Sequence, residues 1–130
     1  MKLAVVVSTY RLLYSNSRPL SILVKFLTDD VGLRRIDSIV NWINDEKYKS
    51  VVLNACYLVK HDEKINIYFF YDGYGREETE KREKFEISKD ELVKVIKKWK
   101  VDYIDVPLSS LIITVDNGKV IFDPREWREI

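Results

Sequence analysis

Residues 50–72, SVVLNACYLVKHDEKINIYFFYD, carry the pattern that decides the fold class. The segment 50–60 is rich in Val and Leu, and the segment 61–64 is a polar turn. From Ile65 to Asp72, apolar residues alternate with polar or aromatic ones, which is the period of a strand with two different faces. Two strands joined by a short polar turn predict an antiparallel hairpin with one apolar and one aromatic face.

Working outward from this hairpin, the sequence predicts helices on both sides of it. Apolar residues at helical spacing indicate one helix from about Ser17 to about Asp29 and a second over about 33–47. A third helix runs to about Lys100 and begins at a capping box, Ser88-Lys89-Asp90-Glu91. In that motif the Ser hydroxyl accepts from the N3 amide, while the Glu side chain reaches back to the cap amide.

Further strands are expected near both ends of the chain. Residues 3–9 are apolar on both faces, which is typical of a central strand, whereas 10–18 are polar and predicted to be irregular. Residues 85–87 are predicted to form one more short strand. Residues 110–123, SLIITVDNGKVIFD, predict a hairpin around Asp116-Asn117-Gly118, because these residues tolerate positive φ. Asp123-Pro124-Arg125-Glu126 matches a helix start, and that helix would pack Trp127.

These elements predict a single α+β domain over residues 1–130. We expect a mostly antiparallel sheet of about five to six strands, three main helices packed on it and a short C-terminal helix. Residues 73–84 are predicted to form a charged, mobile loop, because eight of the nine residues from Arg76 to Lys84 are charged.

The composition excludes several classes of protein. Of the 130 residues, 46% are hydrophobic and 33% are charged, which is too apolar for a disordered chain and too charged for a membrane protein. The net charge of +1 provides no overall attraction to nucleic acid or to an anionic membrane. We expect a cytoplasmic protein. Abundant Lys and Glu without any Gln are typical of heat-adapted proteins and indicate a thermophilic source, an archaeon or one of its viruses.

The residues that most often carry catalysis have ordinary structural interpretations here. Cys56 is the sole cysteine and lies in an apolar stretch, which predicts a buried, inert thiol. His61 is the sole histidine and lies in a charged turn, which favours an exposed residue over a catalytic base. Ser8–Arg11 follow the first strand, and a strand exit is favoured there over a ligand site. We predict no catalytic residue, no metal and no cofactor.

Aromatic and basic residues are the candidate binding residues. Those in the predicted loop form either a platform for nucleic-acid bases or part of an interaction loop. The helix lysines either contact phosphates or form a solvated face. The Trp of the second helix belongs either to a partner interface or to a wide buried face. The full set is Tyr71, Tyr74, Arg76, Trp42, Arg34, Arg35, Lys94, Lys97 and Lys98.

Two functional hypotheses follow from these patterns. The first is a small, non-enzymatic binding or regulatory protein that contacts another protein or a second copy of itself, as inhibitors, immunity proteins and viral modulators do. The alternative is a nucleic-acid-binding protein or a metal-dependent nuclease that uses the lysine-rich helix and the Tyr/Arg loop. The near-neutral net charge favours the first hypothesis, because nucleic-acid-binding domains usually carry a basic surplus.

Overall fold

The structure is a computed structural model in which two strands precede the first helix. It describes residues 2–7, 12–15, 18–32, 34–70, 83–101 and 109–126. The strands are β1 Lys2–Val7, β2 Leu12–Ser15, β3 Ser50–Val52, β4 Cys56–His61, β5 Lys64–Phe69, β6 Phe85–Ser88, β7 Ser109–Asp116 and β8 Lys119–Glu126. The helices are α1 Arg18–Lys25, which continues into the π helix Phe26–Val31, α2 Ile36–Asn44 and α3 Lys89–Trp99. The predicted α+β class is confirmed.

The strands form two sheets rather than one. The first sheet has the order β2-β1-β7-β8, and the second has the order β3-β4-β5-β6. Every neighbouring pair is antiparallel, as predicted. The pairing of β1 with β7 brings the two ends of the chain into one sheet. The prediction of a single sheet of about five to six strands is therefore wrong, since the described residues contain two four-stranded sheets.

Two local features account for the difference in strand number. The segment 10–18, predicted to be irregular, contains β2, which exists because its short sequence LLYS pairs with β1. The predicted strand over 50–60 is divided into β3 and β4 by a turn. In that turn, the Leu53 N–H donates to the Cys56 carbonyl over 2.9 Å and reverses the chain.

The predicted helix start at Asp123-Pro124-Arg125-Glu126 is also wrong. These residues belong to β8, which stays paired with β7 as far as the Ser109–Glu126 pair. The ladder with a long neighbouring strand outweighs a local pattern of only four residues. Pro124 is compatible with a strand here because β8 is an edge strand, where a missing N–H leaves no ladder bond broken. Trp127 lies outside the described residues.

The predicted hairpin between β7 and β8 is confirmed, with a two-residue turn. Asn117 has φ of 54° and Gly118 has φ of 77°. Positive φ at both central residues defines the type I′ turn, whose twist matches that of the flanking strands. The turn fixes the register, so that Asp116 lies opposite Lys119.

Helices α1 and α3 connect the two sheets. Helix α1 contacts β1 and β2 of the first sheet and β5 and β6 of the second, while α3 contacts β6 and β8. Leu20, Leu23 and Leu27, in α1 and the π helix, are fully buried. A helix that is apolar on several sides must be covered on several sides, and the two sheets together provide that cover.

A buried carboxylate joins the π helix to the second sheet. Asp30 is 1% exposed. One of its oxygens accepts from the Ala55 N–H over 2.8 Å, and the other accepts from the Cys56 N–H over 3.0 Å. These amides lie where the turn between β3 and β4 ends and β4 begins, so the carboxyl group satisfies two buried backbone donors.

Burial changes the acid–base behaviour of Asp30 and Cys56. Desolvation raises the pKa of Asp30 above its usual value of 3.8, although its backbone hydrogen bonds act in the opposite direction. Desolvation also raises the pKa of the Cys56 thiol, and the nearby Asp30 charge raises it further. The thiol is fully buried, as the sequence predicts.

We predict that Asp30→Asn destabilises the fold by about 1–3 kcal/mol at low pH, because the amide NH2 cannot accept from a buried N–H, whereas both oxygens of the protonated carboxyl can. The folded-state pKa of Asp30 is raised, so the folded state binds the proton more tightly than the unfolded state does. The stabilisation that the protonated Asp30 side chain contributes to the folded state is complete below about pH 3.8. It is lost as the pH rises through the folded-state pKa. The deficit of the variant in free energy of unfolding, relative to the unmodified protein, should therefore shrink with rising pH.

Chemical denaturation of both proteins from about pH 4 to about pH 8 measures that deficit. Asp29→Asn is the matched control, because Asp29 is the exposed neighbour of Asp30 and its variant should change the stability little. A deficit of Asp30→Asn that stays constant across this range would contradict the prediction.

We also predict that the Cys56 thiol is unreactive in the folded protein, because the thiolate is the nucleophile and burial suppresses it. Titration with a disulfide reagent should give no reaction under native conditions and one equivalent in denaturant. Ser50→Cys, which adds a thiol at an exposed position in β3, is the positive control and should react at once. Native reaction of Cys56 at the rate of that control would contradict the prediction.

Candidate functional site

A groove between α3 and β8 is the candidate functional site. It has a volume of about 250 Å³. Its floor is apolar and consists of the buried Val95, Val120 and Phe122. The residues that line it are Glu91, Lys94, Val95, Lys98, Lys119, Val120, Ile121 and Phe122. We call it the α3–β8 groove.

The helical repeat explains which residues α3 contributes to this groove. Leu92, Val95, Ile96 and Trp99 form the buried stripe of α3, as the sequence predicts. Glu91, Lys94 and Lys98 are separated by three and four residues, which places them on one flank of that stripe. This flank faces β8, because all three residues line the groove.

The start of α3 is only partly the predicted capping box. The Glu91 N–H donates to the Ser88 hydroxyl over 3.1 Å, which confirms Ser88 as the N-cap. The capping box predicts that the Glu91 side chain accepts from the Ser88 N–H, but the structure does not show this contact. The Glu91 carboxylate instead accepts from the Val120 N–H of β8 over 2.9 Å. A tertiary partner therefore replaces the local one and links α3 to the edge of the first sheet.

Three lysines form the rim of the groove. Lys94, Lys98 and Lys119 are exposed, and none of them forms an ion pair with a carboxylate in the described part of the chain. Among the described residues that line the groove, Glu91 is the one acidic side chain, and its carboxylate already accepts from the Val120 N–H. The arrangement provides positive charge around an apolar floor, with the exposed Ile121 beside it.

The other predicted binding residues that the structure describes do not line this groove. Lys97 is exposed and lies further around α3, towards solvent. Arg34 and Arg35 are exposed and precede α2. Of the candidate basic residues, the structure thus brings together Lys94 and Lys98 and adds Lys119. Tyr71, Tyr74 and Arg76 lie outside the described residues.

Trp42 has a structural setting in α2. It is half-buried against the core, and the Lys60 Nζ lies 4.4 Å from the centroid of its ring. The same ammonium group donates to the carbonyls of Trp42 and Asp45 at the end of α2. Desolvation lowers the pKa of Lys60 below its usual value. Lys60 thus satisfies carbonyls at the C-terminal end of this helix.

The aromatic face of the hairpin is present but already packed. Tyr57 and Tyr68 stack with ring centroids 5.0 Å apart, and Phe70 lies 5.4 Å from Tyr57. Tyr57 is 4% exposed and Tyr68 is 6% exposed. Since these rings cover one another, they do not present a free surface on which a base could stack.

Sequence reasoning missed Lys119, Glu91 and Ile121 as groove residues. A local signal existed for Lys119, which follows the Asn117-Gly118 turn and must lie at the end of the hairpin. No local signal places β8 beside α3, because that contact depends on β7 joining β1 in a sheet that α3 also touches.

The histidine and the residue types that bind metals form no metal site in the described regions. His61 is exposed at the turn between β4 and β5, where its Nε2 lies 3.9 Å from an Asp62 oxygen. Among the described residues, no group of three or more His, Cys, Asp or Glu side chains could hold a metal ion. Within those same ranges, no helix combines the length and apolar character needed to cross a bilayer.

Comparison with known proteins adds no relative to this description. No family model matches the chain, and no curated protein or solved structure matches it either. The candidate site therefore rests on its geometry and chemistry alone.

Proposed function

We propose that this protein is a non-enzymatic binding protein and that the α3–β8 groove docks an acidic region of another protein. The observation that carries the proposal is the set of three exposed lysines, without described ion pairs, around an apolar floor. Positive charge beside apolar surface suits a partner that combines carboxylates with apolar side chains.

The chemistry of the groove favours binding over catalysis. Its side chains are lysines, aliphatic and aromatic residues, and one carboxylate that is already bonded to Val120. Lysine ammonium groups attract acidic partners, and the methylene stems of lysine cover apolar surface. Both properties contribute to association.

The groove also favours a protein partner over a nucleic acid. A phosphate backbone would meet the lysines and leave the exposed Ile121 without an apolar contact. A peptide covers both kinds of surface. Arg34 and Arg35, which a nucleic-acid surface would recruit, are not among the residues of the groove. The alternative function of nucleic-acid binding is nonetheless an outcome of the same experiment.

We predict that a capped peptide of about ten residues, alternating Glu and Val, binds the full chain and that the triple variant Lys94→Glu, Lys98→Glu and Lys119→Glu weakens this binding about tenfold or more. Reversing the three charges removes the attraction and adds repulsion. Fluorescence anisotropy with the labelled peptide measures the affinity.

The matched control is the triple variant Lys49→Glu, Lys84→Glu and Lys97→Glu, which reverses three exposed lysines outside the groove and has the same net charge. It should keep most of the affinity. A second control peptide alternates Lys and Val and should not bind.

A single-stranded oligonucleotide of similar length completes the test, at about 50 mM and about 200 mM salt. Failure of the Glu/Val peptide to bind, or equal losses in the two triple variants, would overturn the proposal. Tighter binding of the oligonucleotide, with a steep salt dependence and loss in the groove variant, would replace it with the nucleic-acid alternative.

A further inference from the structure

We infer that the acidic region of the partner binds as an extended segment that adds a fifth strand to the first sheet along β8, and that it displaces the Glu91 carboxylate from the Val120 N–H. This inference rests on the proposed function, because it specifies how a protein partner occupies the same groove. It commits to one kind of occupant, a β-strand that carries acidic side chains.

The edge position of β8 is the first observation. Among the strands that the structure describes, β8 is the outermost one of the order β2-β1-β7-β8. In an antiparallel ladder, the main-chain groups of alternate residues point towards the neighbour and away from it. The two-residue turn makes Asp116 and Lys119 a hydrogen-bonded pair, so Val120 and Phe122 direct their main-chain groups away from β7.

The hydrogen bond between Val120 and Glu91 confirms that the Val120 N–H points away from β7. The Val120 N–H donates to a side chain of α3 and not to β7. An oxygen atom carried by another element therefore already occupies the place that a carbonyl of an added strand would take. Such a side chain also blunts the edge and limits unwanted pairing of the free protein.

Pro124 sets the length of the accessible edge. It lies opposite Leu111, and its main-chain groups point away from β7, as those of Val120 and Phe122 do. The carbonyls of an added strand can accept hydrogen bonds from the N–H groups of Val120 and Phe122. They cannot do so at Pro124, because proline has no N–H. The site therefore suits a short strand, for which side-chain charges contribute much of the specificity.

The lysine rim determines the charge of the added strand. Lys94 and Lys98 extend from α3 on one side of this edge, and Lys119 lies at its start. The exposed Ile121 offers an apolar cross-strand contact to the added strand. A segment that alternates acidic and apolar residues complements both features.

Backbone methylation of the peptide tests the mode of binding. Three versions of the capped Glu/Val peptide are compared on the full chain: unmodified, N-methylated at every Val, and N-methylated at every Glu. In a strand, alternate residues face the neighbouring strand, so one methylated version should lose about tenfold or more in affinity while the other keeps it.

The outcomes separate this inference from the proposed function. Equal affinities of the three peptides, or equal losses in both methylated versions, would overturn strand addition. If the lysine dependence persists in that case, the proposed function stands. Absence of any binding by the unmodified peptide would overturn both.

Two variants of Glu91 give an independent test. Glu91→Ala frees the Val120 N–H, whereas Glu91→Gln removes the charge and keeps an oxygen that can accept from it. Strand addition predicts that Glu91→Ala binds the peptide about threefold to tenfold more tightly than Glu91→Gln does. Equal affinities would mean that only charge matters and would overturn the displacement. Thermal unfolding of both variants confirms that they are folded.

Amide hydrogen exchange locates the contact on the chain itself. On addition of the peptide, exchange at the Phe122 N–H should slow, because this group faces the added strand. The Ile121 N–H faces β7 and serves as the internal control, whose exchange should stay unchanged. Slowing at Ile121 alone, or at neither residue, would overturn the inference.

Discussion

The helical segment Arg18–Val31 contacts both sheets, and the arrangement of the rest of the chain depends on its burial. Leu20, Leu23, Phe26 and Leu27 are completely excluded from water. One sheet can cover only one side of such a helix, so the chain ends must supply a second sheet to cover the other. The Asp30 carboxylate then fixes the segment to the second sheet through two buried amides.

The same constraint creates the α3–β8 groove. Helix α3 follows directly on β6 of the second sheet and also touches β8 of the first, so it must pass close to the exposed edge of the first sheet. Glu91 bonds to that edge, while Lys94 and Lys98 remain beside it in solvent. A feature needed for packing, a helix that bridges two sheets, thus produces a charged groove beside a strand edge. The proposed binding of an acidic strand uses the lysines of the groove and the main-chain groups of the strand edge.

Local sequence patterns predict some features of the candidate site but not how its elements come together. The stripe Leu92, Val95, Ile96 and Trp99, the Ser88 cap and the type I′ turn at Asn117-Gly118 were all predictable, because each depends on residues within a few positions of one another. Lys94 and Lys98 were predictable as an exposed pair for the same reason. Their partnership with Lys119 was not, since it joins two elements that no local pattern connects.

The sequence by itself determined the α+β class, most helix and strand positions, and the burial of Cys56, because apolar periodicity and turn chemistry act over short separations. The tertiary structure alone decided that there are two sheets, that residues 123–126 extend a strand, and that Glu91 bonds to Val120. These features depend on pairing between distant parts of the chain. There the hydrogen bonds and buried area of a complete sheet outweigh the local preference of a few residues.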